Sequence, residues 1–197
     1  MNCIFSRFAW WPKNPADPIP VGEDIYFRHL STPLGNMLAG VYKNALCLLE
    51  FREATEFQPA FEPIIRETGA ALSELHHPLL DEVEKQLKDY FERRRKEFEV
   101  PLYLTGTPFQ KEVWNYLLTL EWGKKITYKD QALKMQNLSA IRAIAHANAL
   151  NKIAIVVPCH RVIGTNGKIT GYAGGLERKR FLLELERTHT PGDGTLF

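Results

Sequence analysis

The stretch from Thr127 to Leu150 reads TYKDQALKMQNLSAIRAIAHANAL and contains two short helical patterns separated by a tight turn. Thr127 is expected to cap the first helix, because a threonine side chain accepts hydrogen bonds from the first backbone N–H groups of a helix. After the turn at Gln136 and Asn137, Ser139 is expected to cap the second helix in the same way. The stretch therefore predicts the outline of a helix-turn-helix.

The second of these helices carries Arg142 and several small residues. A face of small side chains allows a helix to approach another surface closely, and the pattern leaves open whether that surface is a second helix or a bound molecule. The small residues are Ala143, Ala145, Ala147 and Ala149.

Upstream of this unit, the stretch from Phe109 to Leu120 has the spacing of a helix with one apolar side, and Gly123 is expected to end that helix. The segment VPLYLTGTPF at 100–109 contains two prolines and a glycine. We therefore place a domain boundary there.

The first half of the chain has mixed patterns. Two apolar runs on either side of Lys43 and Asn44 predict a β-hairpin within 26–51. The segment 60–75 is mixed, and 77–98 has helical spacing with acidic residues early and basic residues late, as the helix dipole favours. Its basic end, 93–96, is more simply a solvated helix end than a phosphate contact.

These patterns together predict an α+β fold. We expect an irregular arm at 1–24, a small N-terminal α/β domain with a β-sheet at 25–100, a mainly helical C-terminal domain with the helix-turn-helix at 101–187, and a tail at 188–197.

Charge is distributed unevenly along the 197 residues, although the net charge is only +2. Residues 1–100 contain 12 Lys and Arg against 16 Asp and Glu, whereas residues 101–197 contain 13 against 7. A basic second half suggests an anionic partner, although many solvated surfaces are basic for solubility alone. No apolar run approaches the ~20 residues of a membrane helix, and we identify no signal peptide at the N-terminus.

The three cysteines are Cys3, Cys47 and Cys159. Their odd number and wide spacing argue against a disulfide framework and against a zinc site of the C-x-x-C kind. We expect a reducing compartment, with Cys3 and Cys47 as inert apolar side chains.

Cys159 lies in IVVPCHRVIG, residues 155–164, directly before His160 and at the end of an apolar run. A thiolate is a nucleophile, and a nearby base can generate it. Because neighbouring side chains in an extended segment point in opposite directions, the pattern does not guarantee direct contact between the thiol and the imidazole, and a water molecule could carry the proton between them. Glu186 is one candidate for the carboxylate that orients the imidazole, and Glu177 and Glu184 are others.

The segment PCHRVIGTNGKITGYAGGLERKRFLLELE resembles the active-site segment of the O6-alkylguanine-DNA alkyltransferases, also called methylated-DNA–protein-cysteine methyltransferases. The segments GTPFQKEVWNYL, ITYKDQA, AIRAIAHANALN and IVVPCHRV occur in the order and spacing of that family, and STPLGNMLAG…CLLEF resembles its first domain. The resemblance covers residues 26–187.

This resemblance implies direct reversal of DNA damage in a single irreversible step. Cys159 would accept the alkyl group from O6 of guanine in duplex DNA, with O4-alkylthymine as an open second substrate. His160 would deprotonate the thiol through water, Glu186 would hold the imidazole, and Asn151 would brace the active-site turn. The damaged nucleotide would be flipped out of the helix, and Tyr128 would help to push it out and donate a proton to N3 of guanine.

The resemblance also assigns binding residues. The recognition helix would lie in the minor groove with Arg142 filling the gap left by the flipped base. Further DNA contacts are expected at Lys129, Asn137 and Thr165, and the loop over the guanine pocket would contain Tyr172, Gly174 and Gly175. No cofactor and no metal are expected, and the partner is double-stranded DNA, not a membrane. A cytoplasmic monomer is the simplest expectation.

The chain departs from the family pattern at several positions. Lys152 stands where proline is common, which either loosens the brace or adds a phosphate contact. His146 stands in the recognition helix where glycine or alanine is usual, and we expect it to point inward. Ala173 replaces a serine of some relatives, which removes one hydrogen bond to O6.

Three other functions are each consistent with part of the sequence. An alkyltransferase-like protein would bind the lesion without a reactive cysteine, but Cys159 is present. A cysteine hydrolase would turn over many times and would not need Tyr128 or Arg142. A transcription factor would bind DNA without regard to a lesion.

Overall fold

The computed structural model describes residues 23–52 and 57–187. The predicted tail at 188–197, Cys3 and all of the predicted arm except Glu23 and Asp24 lie outside these residues. None of the described helices is long and apolar enough to cross a membrane.

The N-terminal half forms a four-stranded sheet with two helices. In chain order its elements are β1 (Ile25–Thr32), β2 (Gly35–Tyr42), β3 (Ala45–Phe51), α1 (Gln58–Thr68), β4 (Leu72–Ser73) and α2 (Pro78–Phe91). The strands lie in the order β3-β2-β1-β4, with β1 parallel to β4 and the other pairs antiparallel. The predicted hairpin turn is confirmed, because Lys43 and Asn44 both have the positive φ angles, 46° and 59°, that a tight two-residue turn requires.

The C-terminal half is mainly helical, as expected. It contains α3 (Pro108–Leu117), β5 (Ile126–Thr127), α4 (Tyr128–Lys134), α5 (Ile141–Ala149), β6 (Val162–Ile163) and α6 (Leu176–Leu185). The two-residue strands β5 and β6 pair in parallel. Two 3₁₀ turns, Leu138–Ala140 and Cys159–Arg161, precede α5 and β6 respectively.

Thr127 caps α4 as predicted: its side chain accepts from the Asp130 N–H, and the Asp130 carboxylate accepts from the Thr127 N–H. Two other predicted ends were wrong. Ser139 does not cap α5, because it lies inside the 3₁₀ turn and its hydroxyl donates to Asn137 Oδ1. Gly123 does not end α3, which ends at Leu117, and Gly123 adopts its positive φ of 75° in the turn that follows.

Two hydrophobic clusters hold these elements together. The smaller joins sheet residues such as Phe27 and Leu48 to Phe61 of α1. The larger joins other sheet residues, including Leu49, to α2 and to the C-terminal half. The predicted domain boundary near residue 100 stays a prediction, and residues from both sides of it share this larger core.

The edge of β3 that does not pair with β2 forms backbone hydrogen bonds with two segments of the C-terminal half. Leu46 exchanges backbone hydrogen bonds with Pro101 and Tyr103, at 2.8 and 2.9 Å. Leu49 does the same with Lys152 and Ala154, at 2.8 and 2.7 Å. The edge of the sheet therefore supports the turn that leads to Cys159.

Candidate active site

Cys159 stands at the end of a compact turn that is attached to that edge. Ile155 adopts a positive φ of 69°, which is uncommon for a β-branched residue, and so reverses the chain. Backbone hydrogen bonds from Val157 to Ile153 and from Cys159 to Val157, at 2.9 and 2.8 Å, close the turn. The cysteine is only 8% exposed, so its position is fixed by packing as well as by the backbone.

Asn151 braces this turn with its side-chain amide. Its Nδ2 donates to the Val157 carbonyl at 2.8 Å and to Cys159 Sγ at 3.3 Å, and its Oδ1 accepts from the Ile153 N–H at 3.0 Å. One buried amide therefore joins both sides of the turn and touches the sulfur.

His160 is fully buried and contacts Glu186 at the end of α6. Its Nε2 lies 2.9 Å from Glu186 Oε1. An ionised carboxylate only accepts hydrogen bonds, so we assign the proton to Nε2. The other ring nitrogen, Nδ1, is buried and has no hydrogen-bond partner among the described residues. It is therefore free to accept a proton.

Glu186 is held by several donors besides the histidine. Arg161 donates to both carboxylate oxygens at 2.8 Å, Tyr90 donates to Oε1 at 2.7 Å, and the Gly123 N–H donates to Oε2 at 3.4 Å. The hydrogen bonds from His160 and Arg161 outweigh burial and keep the pKa of Glu186 far below its usual range. The carboxylate is therefore ionised at any physiological pH.

The rival carboxylates of the sequence analysis do not reach the histidine. Glu177 and Glu184 are exposed on α6, where they pair with Arg180 and Arg187.

The thiol and the imidazole have complementary acid–base properties. Burial raises the pKa of Cys159, although the hydrogen bond from Asn151 and the charge of Lys179 oppose this effect. Burial lowers the pKa of His160, against the effect of Glu186. The resting site therefore holds a neutral thiol beside a neutral imidazole, and the thiol needs a base before it can attack.

A cavity of about 490 Å³ lies beside Cys159. It brings together four of the predicted site residues, while Tyr128 and Gly175 are not part of its wall. Sequence reasoning missed the contribution of the N-terminal half, which supplies the end of β3. The wall contains Asn151, Cys159, Tyr172 and Gly174, the β3 residues Glu50 and Phe51 with Arg52 directly after the strand, and Lys152, Ala173 and Arg178 among others.

Tyr128 and Tyr172 lie near the sulfur as well. Burial, and to a smaller extent the charge of Cys159, raise the pKa of both phenols, so both hydroxyl groups stay protonated. The Tyr172 hydroxyl is buried without a partner among the described residues. Gly174 is needed beside it, because a Cβ there would lie 2.7 Å from the Tyr172 ring and 2.8 Å from Phe51.

Lys179, which sequence reasoning also missed, holds the loop between β6 and Tyr172. It is fully buried, and its ammonium group donates to the carbonyls of Val162, Thr170 and Gly171 at 2.6, 2.6 and 3.0 Å.

The predicted DNA contacts lie apart from this buried site. Lys129 lies in the first turn of α4, Asn137 precedes the 3₁₀ turn, Arg142 lies in the first turn of α5, and Thr165 lies in the loop after β6. All four are exposed, as residues that touch a large ligand must be.

Two departures from the family pattern are explained by the structure. The inward position expected for His146 was wrong: the side chain is exposed on α5, and Ile144, Ala147 and Asn148 form the buried face instead. Lys152 forms an ion pair with Glu50 of β3 at 3.1 Å, so it fastens the turn to the sheet.

Among the described residues, no group of three or more His, Cys, Asp or Glu side chains is arranged to hold a metal ion.

Comparison with known proteins agrees with this geometry. The family model described as "6-O-methylguanine DNA methyltransferase, DNA binding domain" matches residues 108–188. A methylated-DNA–protein-cysteine methyltransferase of Mycobacterium bovis is 40% identical over 173 residues, which are 88% of this chain and 99% of that protein. A constitutive methyltransferase of the same name from Bacillus subtilis is 37% identical over 82% of this chain and 95% of its own length.

Solved structures give the same result. The O6-methylguanine methyltransferase of Mycobacterium tuberculosis superposes with a TM-score of 0.71 at 37% identity, over 86% of this chain and 96% of that one. The Mycobacterium tuberculosis OGT in complex with DNA gives a TM-score of 0.69 at 38% identity, over 85% and 96%. With a buried cysteine, histidine and glutamate behind a helix-turn-helix, and with this similarity along nearly the whole length of its relatives, the chain belongs to the methylated-DNA–protein-cysteine methyltransferase family.

Proposed function

We propose that this protein repairs alkylated DNA by moving the alkyl group from O6 of guanine to Sγ of its own Cys159. The observation that carries the proposal is the contact of Asn151 with the sulfur, beside a histidine whose Nε2 is held by Glu186 at 2.9 Å. This arrangement supplies a nucleophile, a base and a group that orients the base.

Transfer begins when the thiol proton passes through water to Nδ1 of His160. The imidazolium that forms is stabilised by the carboxylate of Glu186. The sulfur then attacks the alkyl carbon in line with the C–O6 bond, and that bond breaks as the C–S bond forms. The electrons remain on guanine, which takes a proton at N3 from Tyr128, whose raised pKa keeps it protonated until then.

The target base reaches the site by leaving the DNA helix. Arg142 fills the gap in the duplex, with Lys129, Asn137 and Thr165 as phosphate or backbone contacts. The flipped guanine enters the cavity beside Cys159, where Tyr172, Gly174 and Gly175 belong to the loop that covers it.

The reaction consumes the protein. The product is a thioether, which is a poor target for water, and the mechanism offers no group to remove the alkyl chain. Each molecule therefore acts once. We also propose that it acts as a monomer and without a cofactor. A cytoplasmic location fits a free, nucleophilic thiol. We also propose that the chain is divided into an N-terminal domain, residues 25–100, and a C-terminal domain, residues 101–187.

The first test is the intact mass of the protein after mixing with excess duplex that contains O6-methylguanine. We expect a gain of one methyl group, mapped to the peptide of Cys159 and stopping at one per molecule. Cys159→Ala should gain nothing yet still bind the lesion, and Cys47→Ala should behave as wild type, because Cys47 is buried in the sheet.

Two results would contradict the proposal. Lesion-dependent binding without a mass gain in the wild type would indicate a protein that only recognises the damage. Repeated turnover on one protein molecule would indicate a hydrolase.

A further inference from the structure

We infer that Tyr90, on α2 in the N-terminal half of the chain, is a positioning residue for alkyl transfer: its hydroxyl fixes the carboxylate that holds His160. The inference rests on the proposed function. It concerns a residue that lies outside the segment matched by the DNA-binding family model, 108–188.

The first support is the shared oxygen atom. Tyr90 Oη donates to Glu186 Oε1 at 2.7 Å, and this is the same oxygen that receives His160 Nε2 at 2.9 Å. A donor on this oxygen limits both the orientation of the carboxylate and the negative charge that it offers to the imidazole.

The second support is the rigidity of the tyrosine. Its side chain is fully buried, and its ring contacts Phe98 at 5.3 Å and Trp122 at 5.1 Å between centroids. Burial, followed by the charge and hydrogen bond of Glu186, raises the pKa of Tyr90 well above its usual value. The hydroxyl therefore stays a donor at every pH at which the protein works.

The third support is the balance of charge around the carboxylate. Arg161 provides a full positive charge on both oxygens, and Lys179, Tyr172 and the neighbouring Cys159 are further titratable groups close to His160 or Glu186. Tyr90 adds a neutral donor, so it holds the carboxylate in place without adding a further cation to Arg161 and Lys179.

The inference predicts a change in the pH dependence of transfer. Without the hydroxyl, more of the negative charge of Glu186 is available to His160. The charge stabilises the protonated imidazole, so the pKa of His160 rises. A protonated His160 cannot accept the proton of Cys159, so the acid side of the pH–rate profile should move to higher pH.

The experiment measures the single-turnover rate of methyl transfer from O6-methylguanine duplex, from about pH 6 to about pH 9. Tyr90→Phe keeps the ring and removes the hydroxyl. We expect it to slow transfer about tenfold near neutral pH, the effect of one hydrogen bond to a charged group, and to move the acid limb upward. In a Cys159→Ala background, Tyr90→Phe should leave lesion binding unchanged.

Two controls separate the hydroxyl from packing. Tyr103→Phe removes a hydroxyl that contacts Glu67 at 3.5 Å on the surface, and it should reproduce the wild type. Phe98→Leu loosens the packing around Tyr90 while keeping its hydroxyl, and it should leave the shape of the pH profile unchanged.

The inference would be overturned if Tyr90→Phe matched the wild type in rate and profile. It would also be overturned by an equal loss of rate at every pH, or by failure of this variant to fold, since either result would make the hydroxyl purely structural. A wild type without transfer activity would overturn the proposed function and this inference together.

Discussion

At the scale of a residue, the buried charge of Lys179 both holds a loop in place and acts on Cys159. Lysine is rarely fully buried unless its ammonium group is paired. Here three backbone carbonyls accept hydrogen bonds from the ammonium group, and they lie at the two ends of the loop from Val162 to Gly171. Burial lowers the pKa of Lys179 to about 8, so the side chain is still mainly protonated at neutral pH. Its charge also favours the thiolate of Cys159.

Lys179→Met should weaken both the fold and the reaction. Methionine has a similar length but cannot donate, so the buried carbonyl of Val162 and the part-buried carbonyls of Thr170 and Gly171 lose their partner. The free energy of unfolding should therefore fall by about 2–4 kcal/mol. Transfer should also slow, because the thiol loses a nearby positive charge. Urea unfolding and single-turnover rates measure the two effects.

Lys168→Met is the matched control, since Lys168 is exposed in the same loop and should change neither quantity. Wild-type stability and rate in Lys179→Met would show that the loop does not depend on the ammonium group.

The sequence allowed part of this site to be predicted. Cys159 and His160 were predictable from their motif, and the family resemblance selected Glu186 from three candidate carboxylates, but Lys179 and Tyr90 were not predicted. A lysine in an exposed helix and a buried one look alike in sequence, because three backbone carbonyls leave no side-chain signal. Tyr90 likewise reads as one more apolar position of α2, and its role depends on a contact 96 residues away.

At the scale of elements, α2 depends on an unusual cap. His77 is 2% exposed, its Nδ1 accepts from the Leu79 N–H at 3.2 Å, and its Nε2 contacts Asn44 Oδ1 at 3.0 Å. The neutral ring therefore joins the start of the helix to the β2–β3 turn, and this helix carries Tyr90.

The stability of this cap should depend on pH. Burial, followed by the charge of His76, lowers the pKa of His77, while Asp81 opposes them. The unfolded chain keeps an ordinary pKa of about 6.5 and so binds the proton first as the pH falls. The free energy of unfolding contributed by His77 is therefore present above about pH 6.5 and is lost progressively below it, down through the folded pKa.

His77→Asn provides the comparison, because asparagine also caps helices but does not titrate. Between about pH 7.5 and about pH 5.5, urea unfolding should show a larger loss of stability in the wild type than in the variant. His160, which also has a lowered pKa, is common to both proteins and cancels. Parallel losses would mean that His77 is not the group responsible.

The element ends show where local patterns stop being informative. Thr127 and its partner Asp130 lie within one turn, so the cap of α4 was predictable. The apolar spacing continues past Leu117, but α3 ends there and the Leu120 carbonyl turns toward Arg161. The end of α3 therefore depends on a contact with a residue distant in sequence, which no local pattern reveals. The 3₁₀ turn that includes Ser139 has no local pattern either.

At the scale of the whole molecule, the edge of β3 links the sheet to the reaction. Leu49 pairs with the backbone of Lys152 and Ala154, and the adjoining Asn151 contacts Cys159 Sγ. The sulfur, the amide brace and the sheet edge therefore form one continuous packed unit. A change at the sulfur should therefore alter the packing where the two halves of the chain meet.

Methylation of Cys159 should therefore destabilise the folded protein. The added methyl group enters a site that is only 8% exposed, next to the amide of Asn151 that donates to the sulfur. Overpacking of this kind costs about 1–3 kcal/mol, so the melting temperature should fall by about 2–12 °C. Protein that has reacted with O6-methylguanine duplex, checked by mass and freed from DNA, is compared with unreacted protein by thermal unfolding.

Asn151→Ala tests whether the brace transmits this effect. The variant already lacks the amide and has room beside the sulfur, so methylation by a small alkylating reagent should lower its melting temperature less than it lowers that of the wild type. An equal decrease in both proteins would place the strain elsewhere in the turn. An unchanged melting temperature in the wild type would mean that the cavity beside Cys159 accommodates the methyl group without disturbing the sheet edge.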